Sequence, residues 1–273
     1  MDVYRDLDGY IITKENSKPF AKGAYGSIYK CEKDNQVFVA KIIQNVPKFK
    51  DIIEAEKKMV KQLKRVKCKY ILFYEKLIEK KDITCFITKY CNKGTLETLI
   101  NEEKFLKIPF IRSIFNQMAI GLKELHSIPI IHRDIKPANI FLHEDKGIIA
   151  VLADFGFSTN KEVASTILGT PITMSPELMN NQLTDSKIDI WAIGIVLYNA
   201  CFGTFPFEKA LAKSITKGGY MIPQYFVVAK ECIELIELCL QDEPKDRISA
   251  SEMTDHPFLK VIKIINLYRA IKA

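Results

Sequence analysis

"IIHRDIKPANIF", residues 130–141, sets His132, Arg133, Asp134, Lys136 and Asn139 among apolar pairs, and Pro137 keeps the stretch from running on as a simple helix. Packing alone gives no reason for five polar side chains here. Taken singly, each has a bland explanation: an Asp in a turn, an Asn closing a loop, a Lys whose stem lies along apolar surface. "LADFGFS", residues 152–158, repeats the pattern by planting Asp154 between hydrophobes and before a glycine. Upstream, Lys41 ends "VFVAK", a lone cation in an otherwise apolar run. Before it, "AKGAYGSIYK", residues 21–30, carries Gly23 and Gly26 at the last two places of a G-x-G-x-x-G spacing whose first place is Ala21. Together and in this order, the bland explanations lose.

The rest of the chain frames these stretches in two parts. Residues 10–90 alternate short apolar runs with turns: "SIYKC", "VFVAKII", "YILFYEKLI" and "TCFITKY" favour strand by their β-branched and aromatic content. One helix interrupts them over roughly residues 49–66, where Phe49, Ile52, Ile53, Met59, Val60, Leu63 and Val66 recur at three- and four-residue steps behind Pro47. From about residue 96 the period is helical. Phe110, Ile111, Ile114, Phe115, Met118, Leu122 and Leu125 make one stripe, and "IDIWAIGIVLYNACF", residues 188–202, is apolar nearly all round, as a buried central helix is. A further helix near residues 229–240 is carried by Ile233, Leu235, Ile236 and Leu238. The outline is α+β: a small strand-rich lobe with one main helix, then a larger, mainly helical one.

At 273 residues and 48% hydrophobic content the chain can bury real cores. No run of eighteen apolar residues reads as a membrane span, and the charged start predicts no signal peptide. Seven cysteines without a C-x-x-C pair fit an intracellular, cytoplasmic setting in which thiols stay reduced. Forty Lys plus Arg against thirty-three Asp plus Glu leave a net +7, concentrated between Lys48 and Lys69. That stretch reads either as the solvated face of the helix or as a docking surface for acidic protein, phosphate or anionic lipid. Aromatic residues that could stack on bases are sparse there, so nucleic acid is not an expected partner.

In these motifs the sequence resembles the eukaryotic protein kinases of the serine/threonine type, over a core of residues 10–259. "ADFGFS" and "PANIF" are similar to the ULK and NEK groups. The resemblance implies one two-lobed kinase domain over residues 1–273, with a small lobe at 10–90, a large lobe at 91–259 and a helical extension at 260–273. It implies ATP and Mg²⁺ as cofactors and protein Ser/Thr hydroxyls as acceptors. Lys41 then clamps the α- and β-phosphates, under a lid formed by Ala21, Gly23 and Gly26. Asn139 and Asp154 hold Mg²⁺, Asp134 orients the acceptor hydroxyl and takes its proton, and Lys136 meets the γ-phosphate. Thr88 becomes the gatekeeper, Lys89, Tyr90 and Cys91 the hinge, and Ile28 and Val39 the faces of the adenine slot. Glu177 is expected to pair with Arg247, Asp189 to support the loop around Asp134, and Thr170 to pack beside Asp134 and Lys136. Arg133 is expected to meet an activating phosphate on Ser165 or Thr166.

Three departures from the family pattern stand out. Ala21 replaces the first loop glycine, at some cost in freedom to reach positive φ. Thr173 stands where Tyr is common. The apolar residues Val60, Leu63 and Val66 count back to Met59 as the helix position that usually carries the Glu partner of Lys41, with Glu56 one turn earlier as the nearest substitute. A pseudokinase, binding nucleotide or scaffolding only, is therefore the alternative to an active enzyme.

Overall fold

The computed structural model describes residues 6–13, 18–23, 25–103, 106–128, 130–158, 171–207, 220–223 and 228–260. It divides into two compact units, residues 1–67 with 72–91 and residues 68–71 with 92–273. They correspond to the strand-rich and the helical lobe.

In the first unit the strands are β1 (Asp6–Leu7), β2 (Tyr10–Ile11), β3 (Ala21–Lys22), β4 (Ser27–Lys33), β5 (Gln36–Gln44), β6 (Tyr74–Glu79) and β7 (Ile83–Lys89). They form one antiparallel sheet in the order β1-β2-β4-β5-β7-β6, with β3 paired to β4 beside β2. Turn chemistry sets the register at two hairpins. Asp34 and Asn35 take φ of 50° and 59° between β4 and β5, and Asp8 and Gly9 take 55° and 86° between β1 and β2. Both are two-residue connections of the kind that twisted strands require. The first hairpin begins before residue 10, because Leu7 is fully buried with Tyr10, Cys31, Phe38 and Cys85 on one sheet face. The helix α1 (Lys50–Leu63) covers the other face, packing Ile53 and Val60 against Ile43 and Phe86.

The expected strand over "YILFYEKLI" starts only at Tyr74. Its front end is drawn into the second unit: Ile71 forms an isolated parallel bridge with Leu152, and the Tyr70 carbonyl accepts the Leu152 amide at 2.9 Å.

The second unit contains helices α2 (Leu96–Glu103), α3 (Ile108–Ser127), α4 (Pro176–Met179), α5 (Lys187–Phe202), α6 (Lys230–Cys239) and α7 (Ala250–Asp255). Every residue of α5 from Ile188 to Phe202 is buried, as its all-round apolar character demands. Gly194 lets α6 come close, since a Cβ there would stand 2.5 Å from the Cβ of Cys239. The strands β8 (Ile140–Glu144) and β9 (Ile148–Leu152) form a hairpin that the sequence reading did not separate from its motifs. This hairpin places Asn139 just before one strand and Ala153 and Asp154 just after the other. Residues 261–273, expected to be helical, lie outside the described residues, as do Ser165, Thr166 and Thr170.

Candidate active site

In the first unit, cross-strand pairing puts the expected nucleotide residues on one sheet face. Ile28 is opposite Lys41, Lys30 opposite Val39, and Val39 opposite Thr88. Directly opposed residues point to the same side, so Ile28, Lys30, Val39, Lys41 and Thr88 share the face that α1 covers in part. Lys41 Nζ lies 2.8 and 3.0 Å from the two carboxylate oxygens of Glu56. Glu56 is 3% exposed, one turn from Met59 on the buried stripe of α1. The count that put Met59 in the partner position is thereby corrected: Met59 is buried as a hydrophobe, and Glu56 takes the lysine. Tyr74, which the sequence reading missed, donates its hydroxyl to Glu56 at 3.2 Å and meets Phe86 edge-on at 5.7 Å.

The glycine loop closes with the Gly23 amide on the Gly26 carbonyl at 2.9 Å. Ala21 pairs with Ile28 inside β3 and is not among the residues of positive φ. The expected cost of its methyl group therefore does not arise, since any residue adopts extended backbone. Gly26 is the constrained position, because a Cβ there would stand 2.6 Å from the carbonyl oxygen of Ile42. A second feature not foreseen is Lys30, whose ammonium lies over the rings of Tyr90 at 4.5 Å and Phe20 at 5.8 Å. In the hinge stretch, Lys89 pairs with Phe38, the Tyr90 amide reaches the Val37 carbonyl at 3.4 Å, and burial pushes the Cys91 thiol up to about 11.

In the second unit, the polar residues of residues 130–141 close on Asp134. Its carboxylate oxygen Oδ2 receives Lys136 Nζ at 2.8 Å and Asn139 Nδ2 at 2.9 Å, and Nδ2 also donates to the Asp134 carbonyl at 2.8 Å. Asp134 is 1% exposed. The Asn139 carbonyl accepts the Ala153 amide at 2.9 Å, and the His132 ring lies 2.9 Å from the Ala153 carbonyl, so Asp154 leaves a backbone tied to the loop on both sides. Phe155 stacks edge-on against His132 at 4.9 Å. Asp154 itself is exposed and takes φ 63°, which turns the chain sharply at the end of β9.

The loop is held from beneath by Asp189 on α5, which accepts the amides of His132 at 2.8 Å and Arg133 at 2.9 Å and faces His126 Nε2 at 2.9 Å. Burial alone would push this carboxyl up. The hydrogen bond and charge of His126, the charge of His132 and the Arg133 amide outweigh it and hold the carboxyl below its ordinary value. Arg133 takes φ 71°, a left-handed conformation that a long side chain adopts only where its surroundings impose it. Desolvation lowers its pKa, and Asp189 opposes that shift. Arg133, Thr173, Met174, Ser175, Leu178, Ile188, Asp189 and Ala192 line a small pocket, so the unusual Thr173 is buried there.

Glu177 and Arg247 form a buried bidentate pair, with Nη2 2.8 Å from Oε2. Arg247 also donates to the carbonyls of Gln241 and Asp242 and lies over Trp191 at 4.9 Å.

The oxygen donors suit Mg²⁺. Asn139 turns its amide nitrogen inward to Asp134, which leaves its amide oxygen as a hard ligand, and Asp154 adds an exposed carboxylate. Among the described residues no group of three or more His, Cys, Asp or Glu is placed to hold a metal. A cation would lean on these two side chains together with phosphate oxygens and water, as Mg²⁺ commonly does.

This fold and these clusters define a two-lobed protein kinase. The protein kinase domain family matches residues 15–259, and the chain belongs to it. Similar proteins include serine/threonine-protein kinase ULK3 of Xenopus laevis, 29% identical over 264 residues that cover 93% of this chain and 56% of that protein. Serine/threonine-protein kinase Nek5 of Homo sapiens is 33% identical over 254 residues, covering 89% and 36%. Serine/threonine-protein kinase Nek2 of Homo sapiens is 31% identical over 263 residues, covering 87% and 57%. The chain thus spans between about a third and somewhat over half of the length of these relatives.

Proposed function

We propose that the chain transfers the γ-phosphoryl group of ATP, bound with Mg²⁺, to serine and threonine hydroxyls of proteins. The observation that carries this reading is the convergence of Lys136 and Asn139 on one oxygen of the buried Asp134 carboxylate. That arrangement fixes the carboxylate in one orientation, as a group that positions a hydroxyl and takes its proton must be.

Mg²⁺-bound ATP supplies the activated phosphoryl group and neutralises charge on the polyphosphate. Lys41, oriented by Glu56, holds the α- and β-phosphates. Asn139 and Asp154 hold the metal. Asp134 orients the acceptor hydroxyl and takes its proton as the new oxygen–phosphorus bond forms and ADP leaves, and Lys136 offsets charge on the transferred group. Most of the rate comes from this positioning and electrostatic fit. Ile28 and Val39 would pack on adenine beside Thr88, with Lys89, Tyr90 and Cys91 along its edge.

Two features that favoured a pseudokinase no longer do so. Ala21 sits in ordinary strand, and Glu56 replaces the acid that Met59 had displaced from the count. Serine/threonine acceptors are supported by Lys136 and by the similar proteins, which are serine/threonine-protein kinases. The activity belongs in the reducing interior of a cell, which the seven buried free cysteines support.

The test is incubation with ATP and a generic basic protein, with and without Mg²⁺, followed by mass spectrometry of the acceptor. Phosphoserine and phosphothreonine that depend on Mg²⁺ and vanish in Lys41→Met are expected. ATP binding without transfer under any metal condition would overturn the reading in favour of a scaffold.

A further inference from the structure

From Lys57 to Tyr74 the chain carries seven cationic side chains and no carboxylate. Lys57 is spoken for, lying 3.0 Å from Glu54 and 2.5 Å from Glu79. Lys69 lies over its neighbour Tyr70. The other five, Lys58, Lys61, Lys64, Arg65 and Lys67, are exposed, and among the described residues none of them has a carboxylate within ion-pair distance. Lys58 and Lys61 stand on the outer side of α1, nearly opposite the buried stripe of Ile53, Glu56, Val60 and Leu63. Lys64 and Arg65 follow at once in the turn that ends the helix, and Lys67 comes two residues further on.

Such a cluster costs stability in isolation, since like charges three and four residues apart repel. The helix dipole explains part of it, because cations near a C-terminus are favourable. That effect fades within the last turn, however, and Lys58 lies five residues before the final helical residue, Leu63. A solvated face would ordinarily intersperse acids, as α1 itself does in its first half with Asp51 and Glu54. What remains unexplained is an uncompensated cationic surface about two helical turns long.

We propose that this surface, Lys58, Lys61, Lys64, Arg65 and Lys67, docks an acidic segment of a partner protein. Charge complementarity names the chemistry: a short run of Asp, Glu or phosphorylated side chains matches the extent of the patch. A membrane fits less well, because none of the exposed large hydrophobics, which include Ile11, Phe20, Val37, Leu183 and Met221, belongs to this stretch. Single-stranded nucleic acid fits less well because no exposed aromatic side chain stands among the cations.

The proposal does not depend on catalysis, so its test uses the whole chain carrying Asp134→Asn alongside the unaltered chain. A fluorescent polyglutamate peptide, vesicles of phosphatidylcholine with phosphatidylserine, and a thymidine oligonucleotide are titrated in turn. Both chains are expected to bind the peptide best, with affinity falling as salt rises. The charge-reversed variant Lys58→Glu, Lys61→Glu, Lys64→Glu and Arg65→Glu is expected to bind about tenfold or more weakly. A control with the same four reversals at Lys81, Lys107, Lys123 and Lys245 keeps the affinity. No binding of the peptide, equal loss in the control, or tighter binding of vesicles or oligonucleotide would overturn the proposal.

Discussion

Lys41 and Glu56 form a bidentate ion pair, Nζ to carboxylate oxygens at 2.8 and 3.0 Å, with the glutamate side chain almost wholly shielded from water. A charge held in this way cannot wander, and the Tyr74 hydroxyl fixes the acid from a second direction. Glu56→Gln keeps the shape and removes the charge. It is expected to lower kcat/KM for ATP by about ten- to a hundredfold, the scale of misplacing a reacting group by about 1 Å. Met59→Glu in the same protein does not restore activity, because that side chain is buried among hydrophobes elsewhere on the stripe. Steady-state kinetics of the single and double variants decides this.

Asp189 is one carboxylate serving two backbone amides of the loop before Asp134. Asp189→Asn leaves one buried amide without an acceptor, at about 1–3 kcal/mol, and releases the loop. Activity and thermal stability fall together. Its carboxyl is held below the ordinary value in the folded protein, so the unfolded chain binds the proton more readily. The stabilisation is therefore fully present above about pH 4–5 and is lost as pH falls through the depressed folded value. Unfolding midpoints measured down the acid limb fall more steeply for the unaltered protein than for Asp189→Asn.

Substitution at either end of the glycine loop costs stability, for different reasons. Gly26→Ala drives a methyl group into the Ile42 carbonyl and is expected to cost about 1–3 kcal/mol of stability. Ala21→Gly restores the family spacing yet brings no gain, losing about 0.5–1 kcal/mol through chain entropy in the strand. Denaturant titration of both variants checks this.

Arg247→Leu strands the buried Glu177 carboxylate. The expected loss is about 3–5 kcal/mol, the range for removing one partner of a buried pair. Glu177→Gln with Arg247→Met recovers part of it, and a thermal melt of the single and double variants is the measurement.

Much of the site was legible because its parts are local in sequence. Asp134, Lys136 and Asn139 lie within six residues of one another, so their meeting at one carboxylate needs only a turn. The partner of Lys41 was not legible in this way. Glu56, Met59, Val60 and Leu63 all fall on the buried stripe of α1, and a period of three or four residues cannot choose between positions one turn apart. Only the strand lying over that stripe makes the choice. Tyr74 was hidden for a similar reason: a bulge between Tyr74 and Lys76 sets its pairing with Thr88, and bulges leave no periodic trace. The front of "YILFYEKLI" misled because its apolar residues serve two units, Ile71 bridging Leu152 while Tyr74 onward joins the sheet.

The role of Asp134 is the centre of the account. Phosphate incorporation from labelled ATP into a basic protein, at saturating Mg²⁺, compares the unaltered chain with Asp134→Asn. The variant keeps a hydrogen-bonding side chain beside Lys136 and Asn139, so nucleotide binding persists while kcat falls about a hundredfold or more for want of the proton acceptor. Incorporation at the full rate in Asp134→Asn would contradict the account.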